Sequence, residues 1–410
     1  MAGQSRRGEF GAGWTIVLGC MAGVGTGIQP IPALSGFFMP ELAREFGWTF
    51  GGMSLGMALC AVVATLMAPV FGGWADRYGT KPVAMISLLL FGFAFASFAL
   101  VGPSIWSFYA VWVVIGLVGI GTTPLTFSRL VNLWFFRNRG LALGIMLIGT
   151  SLSTFVIPPL IVWAIAEGGW RTAYLAVAAL PLLVGLPLGL LLLREPRAEE
   201  VPKASSAAAT GVTVGAAIRD RRFWVIWGAI FLVQFAFAGA QVHIPEIVRL
   251  RGFRPANAAT IMQVVGIAIL VGRLVTGFLL DRFWAPLVSL PMLLLPAIGV
   301  VYLTGHDPDF VMLAGAAFLL GLAAGAESDL IAYLASRYFG LAHYGRIYGV
   351  LYMAFALASA FSPLVYGRVR DVAGTYDPML LTAAGLLVGG AVLLLTLGRY
   401  PDFTPVERAA

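Results

Sequence analysis

Long apolar runs alternate along the chain with short segments that are rich in charged, glycine and proline residues. Twelve of these runs are of membrane-spanning length, since about 20 helical residues cross the roughly 30 Å hydrocarbon core of a bilayer. They cover residues 14–38, 51–73, 83–102, 106–130, 140–164, 172–193, 223–247, 257–280, 286–304, 309–335, 346–367 and 377–398. The pattern predicts an all-α membrane protein with twelve transmembrane helices.

A polar segment between the sixth and seventh runs divides the chain. We predict an N-terminal six-helix bundle at 1–193, a cytoplasmic linker at 194–222 and a C-terminal six-helix bundle at 223–410. The 26 Lys and Arg residues fall mainly in this linker and in alternate loops, as the positive-inside rule describes for cytoplasmic segments. We therefore expect a multi-pass protein of the plasma membrane, or of the cell inner membrane in a bacterium, with both termini cytoplasmic.

The two halves repeat one another at a constant offset. Asp76 follows the second run and Asp281 follows the eighth, 205 positions later; Pro158 and Pro363 are also 205 positions apart. Parallel repeats of six helices are one way in which transporters build alternating access, with two halves that rock around a site near the membrane midplane. The repeat predicts two similar six-helix bundles and a transport function.

Composition excludes several other classes of protein. Hydrophobic residues make up 60% of the chain and charged residues 11%, whereas soluble domains carry about 25% charged residues. The net charge of +7 arises from loop residues without a basic stripe on a soluble segment, so we expect no nucleic-acid partner. Cys20 and Cys60 lie in apolar runs without metal-ligand spacing. We expect a functional monomer that is not an enzyme and that has no metal or cofactor.

The loop after the second run carries a dense polar motif. Asp76 can interact with a neighbouring helix N-terminus, while the basic residues hold the loop on the cytoplasmic side. The segment resembles the G-x-L-A-D-R-x-G-x-K signature of the major facilitator superfamily, with Trp74 in place of leucine. The resemblance implies a loop that closes the cytoplasmic face; a charged turn that only fixes topology is the alternative. The predicted gating residues are Gly72, Asp76, Arg77, Gly79 and Lys81, with Asp281 and Arg282 in the second half.

Two arginines lie inside apolar runs. Arg273 is well within the eighth run, where a charge costs about 2.5–3.5 kcal/mol on insertion scales, so it must face protein, water or a ligand. Arg129 lies near the cytoplasmic end of the fourth run and could instead extend to the interface. Both are candidate substrate-binding residues.

The sequence Gly272 to Gly277 around Arg273 resembles the eighth helix of monocarboxylate transporters and of the related oxalate/formate exchangers. The resemblance implies that Arg273 binds a substrate carboxylate, which suits a guanidinium because it can donate two parallel hydrogen bonds. Ile269 stands where the animal monocarboxylate carriers have an aspartate. Residues 347–367 contain no basic residue, which disfavours a dicarboxylate held between two cations.

The tenth run carries two acids, Glu327 and Asp329. They diverge by about 200° around a helix, so they cannot share a face. Either can serve as a proton-coupling site, because desolvation lets a carboxyl load and release a proton. Burial in the neutral form, or a structural pair with Arg273, is the alternative. We favour Glu327 for coupling, because Asp329 lies on a face of small residues that suits close helix packing.

Two further polar residues are candidates. Gln29 follows the closely spaced glycines Gly23, Gly25 and Gly27, in a stretch whose helix can break and expose polar groups to a cavity; the same glycines could serve only for packing. His243, near the outer end of the seventh run, is a candidate pH-sensitive site, with simple solvation at the interface as the alternative.

These features support a secondary transporter of small organic anions. A proton-coupled monocarboxylate symporter that works by alternating access is our first hypothesis, with a small carboxylate, protons and the lipid bilayer as its partners. An organic anion exchanger of the oxalate/formate type, or a sensor without transport on the same scaffold, remains the alternative.

Overall fold

The computed structural model describes residues 9–135, 139–195, 211–280, 282–304, 309–340 and 343–401. In the first half of the chain the α-helices are α1 (Glu9–Thr26), α2 (Ile31–Ser35), α3 (Met39–Phe46), α4 (Phe50–Tyr78), α5 (Thr80–Ala96), α6 (Ile105–Gly119), α7 (Pro124–Trp134), α8 (Arg139–Leu180) and α9 (Leu186–Leu192). In the second half they are α10 (Val214–Arg219), α11 (Arg221–Leu250), α12 (Pro255–Leu280), α13 (Ala285–Tyr302), α14 (Phe310–Phe339), α15 (Tyr344–Ala373) and α16 (Asp377–Leu395).

The helices confirm the predicted all-α fold with twelve transmembrane segments in two six-helix bundles. Among the described residues, ten apolar segments are long enough to cross a membrane, and one of them, Leu141–Leu192, has 52 residues and so provides two crossings. α14 adds a shorter apolar stretch, Phe310–Gly325.

The break predicted between the fifth and sixth runs, at residues 164–172, is present as a kink within α8. α8 continues through this region and leaves helical geometry at Gly169, where φ is 76° and ψ is 178°. Glycine adopts positive φ at little cost, so the chain can redirect at a single residue.

The first and fourth predicted runs are each interrupted. α1 ends at Thr26 and α2 begins at Ile31, and α6 is followed by a 3₁₀ turn before α7 begins at Pro124. Proline near a helix start is favoured because it lacks the N–H that would be unpaired there. The break predicted from the glycines and prolines around Gln29 is confirmed.

Two compact units make up the chain. The first comprises Met1–Ala204 together with Phe253–Gln263, and the second comprises Ser205–Gly252 and Val264–Ala410. The division after Ala204 falls inside the segment predicted as a linker. The grouping of Phe253–Gln263 with the first unit was not predicted.

Each unit carries an ion pair at the end opposite its Asp76 or Asp281 loop, and the polarity is reversed between the units. In the first unit, Arg171 at the kink in α8 donates to Glu45 of α3 at 2.9 Å, and Trp170 Nε1 donates to the same carboxylate at 2.6 Å. In the second unit, Arg251 pairs with Asp377 at the start of α16. Glu45 corresponds to Arg251 and Arg171 corresponds to Asp377, each 206 positions later, so acid and base have exchanged places.

Candidate functional site

Arg273 lies where α12 and α14 make their closest approach. A Cβ built on Gly325 would lie 2.1 Å from Ile269 O and 2.7 Å from Arg273 N, and one on Gly272 would lie 2.4 Å from Leu322 O. Only glycine permits such contact between two helix backbones. The side chain of Arg273 is half-buried, with its Nε and Nη1 atoms shielded from solvent. It is seven residues, about 10 Å, from the end of α12.

Glu327 occupies a different environment on the opposite side of α14. It is 6% exposed and borders a cavity of about 20 Å³ that is lined by apolar residues of α11, α13 and α16, among them Ile230, Val233, Met292 and Leu293. Its Oε1 atom has no hydrogen-bond partner among the described residues. A cavity of this size has room for about one water molecule.

The structural pair between Glu327 and Arg273 that the sequence left open is not formed. No ion pair within 4 Å joins Glu327 to a basic side chain of the described residues. Gly325 faces α12, and Glu327 follows it by two positions, which is about 200° around the helix. Position 329 follows Gly325 by one turn and so shares its face; the side chain of Asp329 lies outside the described residues.

Arg129 lies with the gating segment of the first unit. Its Nη1 donates to Thr80 Oγ1 at 2.9 Å, and Thr80 is the first residue of α5. The contact therefore ties α7 to the start of α5.

A carboxylate that sequence reasoning missed holds the same helix start. Glu195 Oε1 accepts the backbone N–H groups of Thr80 at 2.5 Å and Lys81 at 3.0 Å. Lys81 Nζ donates to Leu190 O at 2.8 Å. The first turn of a helix leaves its N–H groups unpaired and favours a negative charge. We call residues 72–81, which comprise the end of α4, Gly79 and the start of α5, the gate loop. Glu195 therefore anchors the gate loop to the chain segment after α9.

Two features of the sequence point to Glu195, although neither identifies it as the partner of the gate loop. It lies just beyond an apolar run, at the end of the bundle that also carries the gate loop, and it is an acid among basic neighbours. Arg194, the residue before it, is fixed as well: its guanidinium lies 4.2 Å from the centre of the Trp134 ring, and Trp134 Nε1 donates to its carbonyl at 3.1 Å.

The predicted gating residues differ in exposure and in their position on the helices. Gly72 and Arg77 are exposed near the end of α4, and Gly79, with φ of 89°, separates α4 from α5. Arg282 is exposed, with its guanidinium 3.6 Å from the centre of the Phe278 ring. The side chain of Asp76, and Asp281 as a whole, lie outside the described residues.

The glycines before Gln29 pack closely, and Gln29 itself is exposed. A Cβ on Gly23 would lie 2.3 Å from the Phe127 ring, one on Gly25 would lie 2.8 Å from Gly149 O, and one on Gly27 would lie 2.5 Å from Thr122 Oγ1. These contacts account for the glycines by packing. They do not explain Gln29, which lies within the break between α1 and α2.

His243 is completely buried rather than solvated at an interface. Its Nε2 lies 3.0 Å from Pro363 O, and its Nδ1 lies 2.9 Å from Tyr376 Oη. A carbonyl can only accept, so Nε2 donates to Pro363 O. The ring thus links α11 to α15 and to Tyr376 at the start of α16.

Comparisons with known proteins agree with this architecture. The model of the Major Facilitator Superfamily matches residues 15–363. Monocarboxylate transporter 13 of Bos taurus is 26% identical, over 98% of this chain and 93% of that protein. The hexuronate transporter of Escherichia coli strain K12 is also 26% identical, over 87% of this chain and 88% of that protein.

Solved structures show the same fold at lower identity. A bacterial homologue of the human lysosomal transporter Spinster, in an inward-facing and occupied conformation, superposes with a TM-score of 0.72 at 15% identity, over 98% of this chain and all of that one. A nucleoside transporter gives a TM-score of 0.73 at 14% identity, over 94% of this chain and all of that one. The family model spans most of the chain and these folds agree with it, so the protein belongs to the major facilitator superfamily and is a membrane transporter.

Proposed function

We propose that this protein is a secondary active carrier of small organic anions that binds the substrate carboxylate at Arg273 and moves it together with a proton by alternating access. The observation that carries the proposal is the position of Arg273. A guanidinium lies deep in a membrane-spanning helix, at the closest contact between α12 and α14, with Nε and Nη1 shielded from solvent.

A permanent charge in this position needs a reason, because membrane-embedded ionisable groups are costly and usually serve a substrate or ion pathway. Guanidinium stays charged and matches the two oxygens of a carboxylate with two donors. The two relatives described above are named for monocarboxylates and for hexuronate, and both are carboxylates. A carboxylate is thus the chemical feature that these names share with the arginine.

Glu327 is our proposed proton-binding residue. An ionised carboxylate whose Oε1 is buried at an apolar cavity without a hydrogen-bond partner is disfavoured, so the proton should be present while the cavity is closed. Because Arg273 of α12 and the cavity at Glu327 lie on opposite sides of α14, the two sites would communicate through movement of this helix rather than through direct contact. Linkage then requires that each ligand change the affinity for the other by the same factor.

The test is uptake of labelled carboxylates into liposomes that contain the purified protein. We expect uptake of monocarboxylates, accumulation when the outside is made acidic, and no uptake of the corresponding uncharged amides. Uptake of acids and amides at equal rates would refute carboxylate recognition. Carboxylate exchange that never responds to a pH gradient would refute proton coupling and favour the exchanger.

A further inference from the structure

The contact between α11 and α15 in the second unit is a seam of hydrogen bonds. Tyr366 Oη donates to Ala236 O at 2.7 Å. His243 bonds to Pro363 O farther along, and Arg370 Nη2 donates to Glu246 at 3.2 Å near the end of α11.

Gln234 lies in this seam with one of its two amide atoms unmatched among the described residues. It is 5% exposed, and its Nε2 donates to Ser359 Oγ at 2.6 Å. Its Oε1 is shielded from solvent and has no hydrogen-bond partner among the described residues. Reversing the amide would exchange the two atoms and still leave one of them without a partner. Buried polar atoms are rarely left so, and those that are call for an explanation such as a missing ligand.

The backbone beside Gln234 is bonded to a serine of α15. Ser362 Oγ accepts the N–H of Gly239 at 2.9 Å and donates to Phe235 O. These two backbone groups are four residues apart and form one rung of the α-helical ladder, so the serine hydroxyl lies across that rung. Side chains inserted in this way are sites where helices bend. A bend at Phe235 would turn the neighbouring Gln234 amide.

The internal repeat places an amide at the same position of the other half. Gln29 and Gln234 are 205 residues apart, the offset that also relates the two gating loops. In the first half the helix is broken there, between Thr26 and Ile31, and Gln29 is exposed. In the second half α11 continues and Gln234 is buried. The repeat thus has an amide in two different surroundings. Close packing of the helices alone does not require an amide at either position.

Two neighbours of Gln234 along α11 contact the cavity of the proposed proton site. Ile230, one turn earlier, and Val233, one residue earlier, both line the cavity that Glu327 borders. The amide therefore belongs to the same middle part of the second unit as the groups already assigned to transport.

We propose that Gln234, held by Ser359, is a specificity-determining residue that recognises a hydroxyl group on the carbon chain of the carboxylate. This inference rests on the proposed function. The amide oxygen would accept the hydroxyl proton, and an acid without a hydroxyl would leave that oxygen unpaired. One net hydrogen bond corresponds to about a tenfold preference for the hydroxy acid.

The experiment compares butanoate with its 2-hydroxy and 3-hydroxy derivatives in liposome uptake. For the wild type we expect at least one hydroxy acid to have a kcat/KM about tenfold above that of butanoate. Gln234→Leu should bring this ratio close to one while butanoate uptake persists, and Ser359→Ala should reduce it partly. Gln241→Leu, which removes an amide elsewhere on α11, is the matched control and should keep the wild-type ratio.

The outcomes separate this inference from the proposed function. Loss of uptake of all acids in Arg273→Lys, with a selective loss of the hydroxyl preference in Gln234→Leu, supports both. A wild-type ratio near one, or an unchanged ratio in Gln234→Leu, overturns the role of Gln234 and leaves carboxylate transport intact. If the wild-type protein transports none of the acids, the proposed function fails and this subsite fails with it.

Discussion

Glu327 is the residue that we propose to carry the coupling between substrate and proton. Its carboxyl borders a small apolar cavity between α11, α13, α14 and α16, away from the α12 contact that holds Arg273. Glutamine has nearly the same shape and is never ionised. The substitution Glu327→Gln therefore imitates the protonated state without allowing release of the proton.

We predict that Glu327→Gln retains exchange of labelled for unlabelled substrate and loses accumulation driven by a pH gradient. Both are measured in the same liposome preparation. Asp309→Asn, at the exposed start of the same helix, is the control and should accumulate substrate as the wild type does. Accumulation by Glu327→Gln under a pH gradient alone would remove this residue from coupling and make Asp329 the next candidate.

Glu45 is an acid outside the membrane-spanning segments whose titration can be predicted. Hydrogen bonds from Trp170 and Arg171 hold the pKa of the Glu45 carboxyl below its ordinary value of 4.5. The unfolded chain therefore takes up this proton first as the pH falls. The ion pair contributes its full stability above about pH 4.5 and loses it progressively as the pH falls through the folded-state pKa.

We predict that the melting temperature of the purified protein falls less between pH 7 and pH 4 in Glu45→Gln than in the wild type. The variant should be the less stable of the two at pH 7, because it lacks the pair. Glu41→Gln, on the same helix but with a local partner in Arg44, controls for loss of an acid. An identical fall in the wild type and Glu45→Gln would show that the contact does not persist in solution.

At the scale of elements, the gate loop is held by the chain segment that follows α9. Glu195 accepts two N–H groups at the start of α5, and Arg129 reaches the same turn from α7. The sequence identified the motif and its charges from local residues. It did not predict the anchor, because a carboxylate that caps a helix 114 or more residues away leaves no local signal.

We predict that Glu195→Gln lowers the maximal transport rate roughly 2- to 10-fold, since a charge at a helix N-terminus contributes on the order of 1 kcal/mol. Equilibrium substrate binding should stay the same, because the gate loop is not part of the proposed substrate site at Arg273. Glu167→Gln, at an exposed position of the same unit, should change neither quantity. A matching loss of binding in Glu195→Gln would indicate a general defect of the fold.

Helix breaks were predictable only in part. The glycines and prolines around Gln29 correctly predicted that the first run is interrupted. The break predicted between the fifth and sixth runs is also present, as a kink at a single glycine with positive φ rather than as a loop. Composition shows where a helix can break, whereas the actual geometry depends on the helices packed against it.

At the scale of the whole molecule, the sequence was sufficient for the fold because the bilayer restricts the possibilities. Apolar runs of spanning length must be helices, and the repeated motif defines two halves. The relation among Arg273, Glu327 and Gln234 could not be predicted in the same way. It depends on which face of α14 meets α12, and that face is determined by Gly325, whose importance appears only when the two backbones are seen in contact.

The reversed ion pairs show the same limit for the repeat. An offset search finds matching residues such as Asp76 and Asp281, but Glu45 with Arg171 and Arg251 with Asp377 match only as exchanged charges. Both units have an ion pair at this place, although the residues at the two positions differ between the units. Residue identity therefore understates how similarly the two units are built.

The central claim is that Arg273 binds the substrate carboxylate, and equilibrium binding of a labelled monocarboxylate to the purified protein tests it most directly. Removing one partner of a buried charge pair costs about 2–5 kcal/mol, so Arg273→Gln should weaken binding about 30-fold or more. Arg219→Gln, at an exposed position of the same unit, should bind as the wild type does. Unchanged affinity in a folded Arg273→Gln protein would contradict the account.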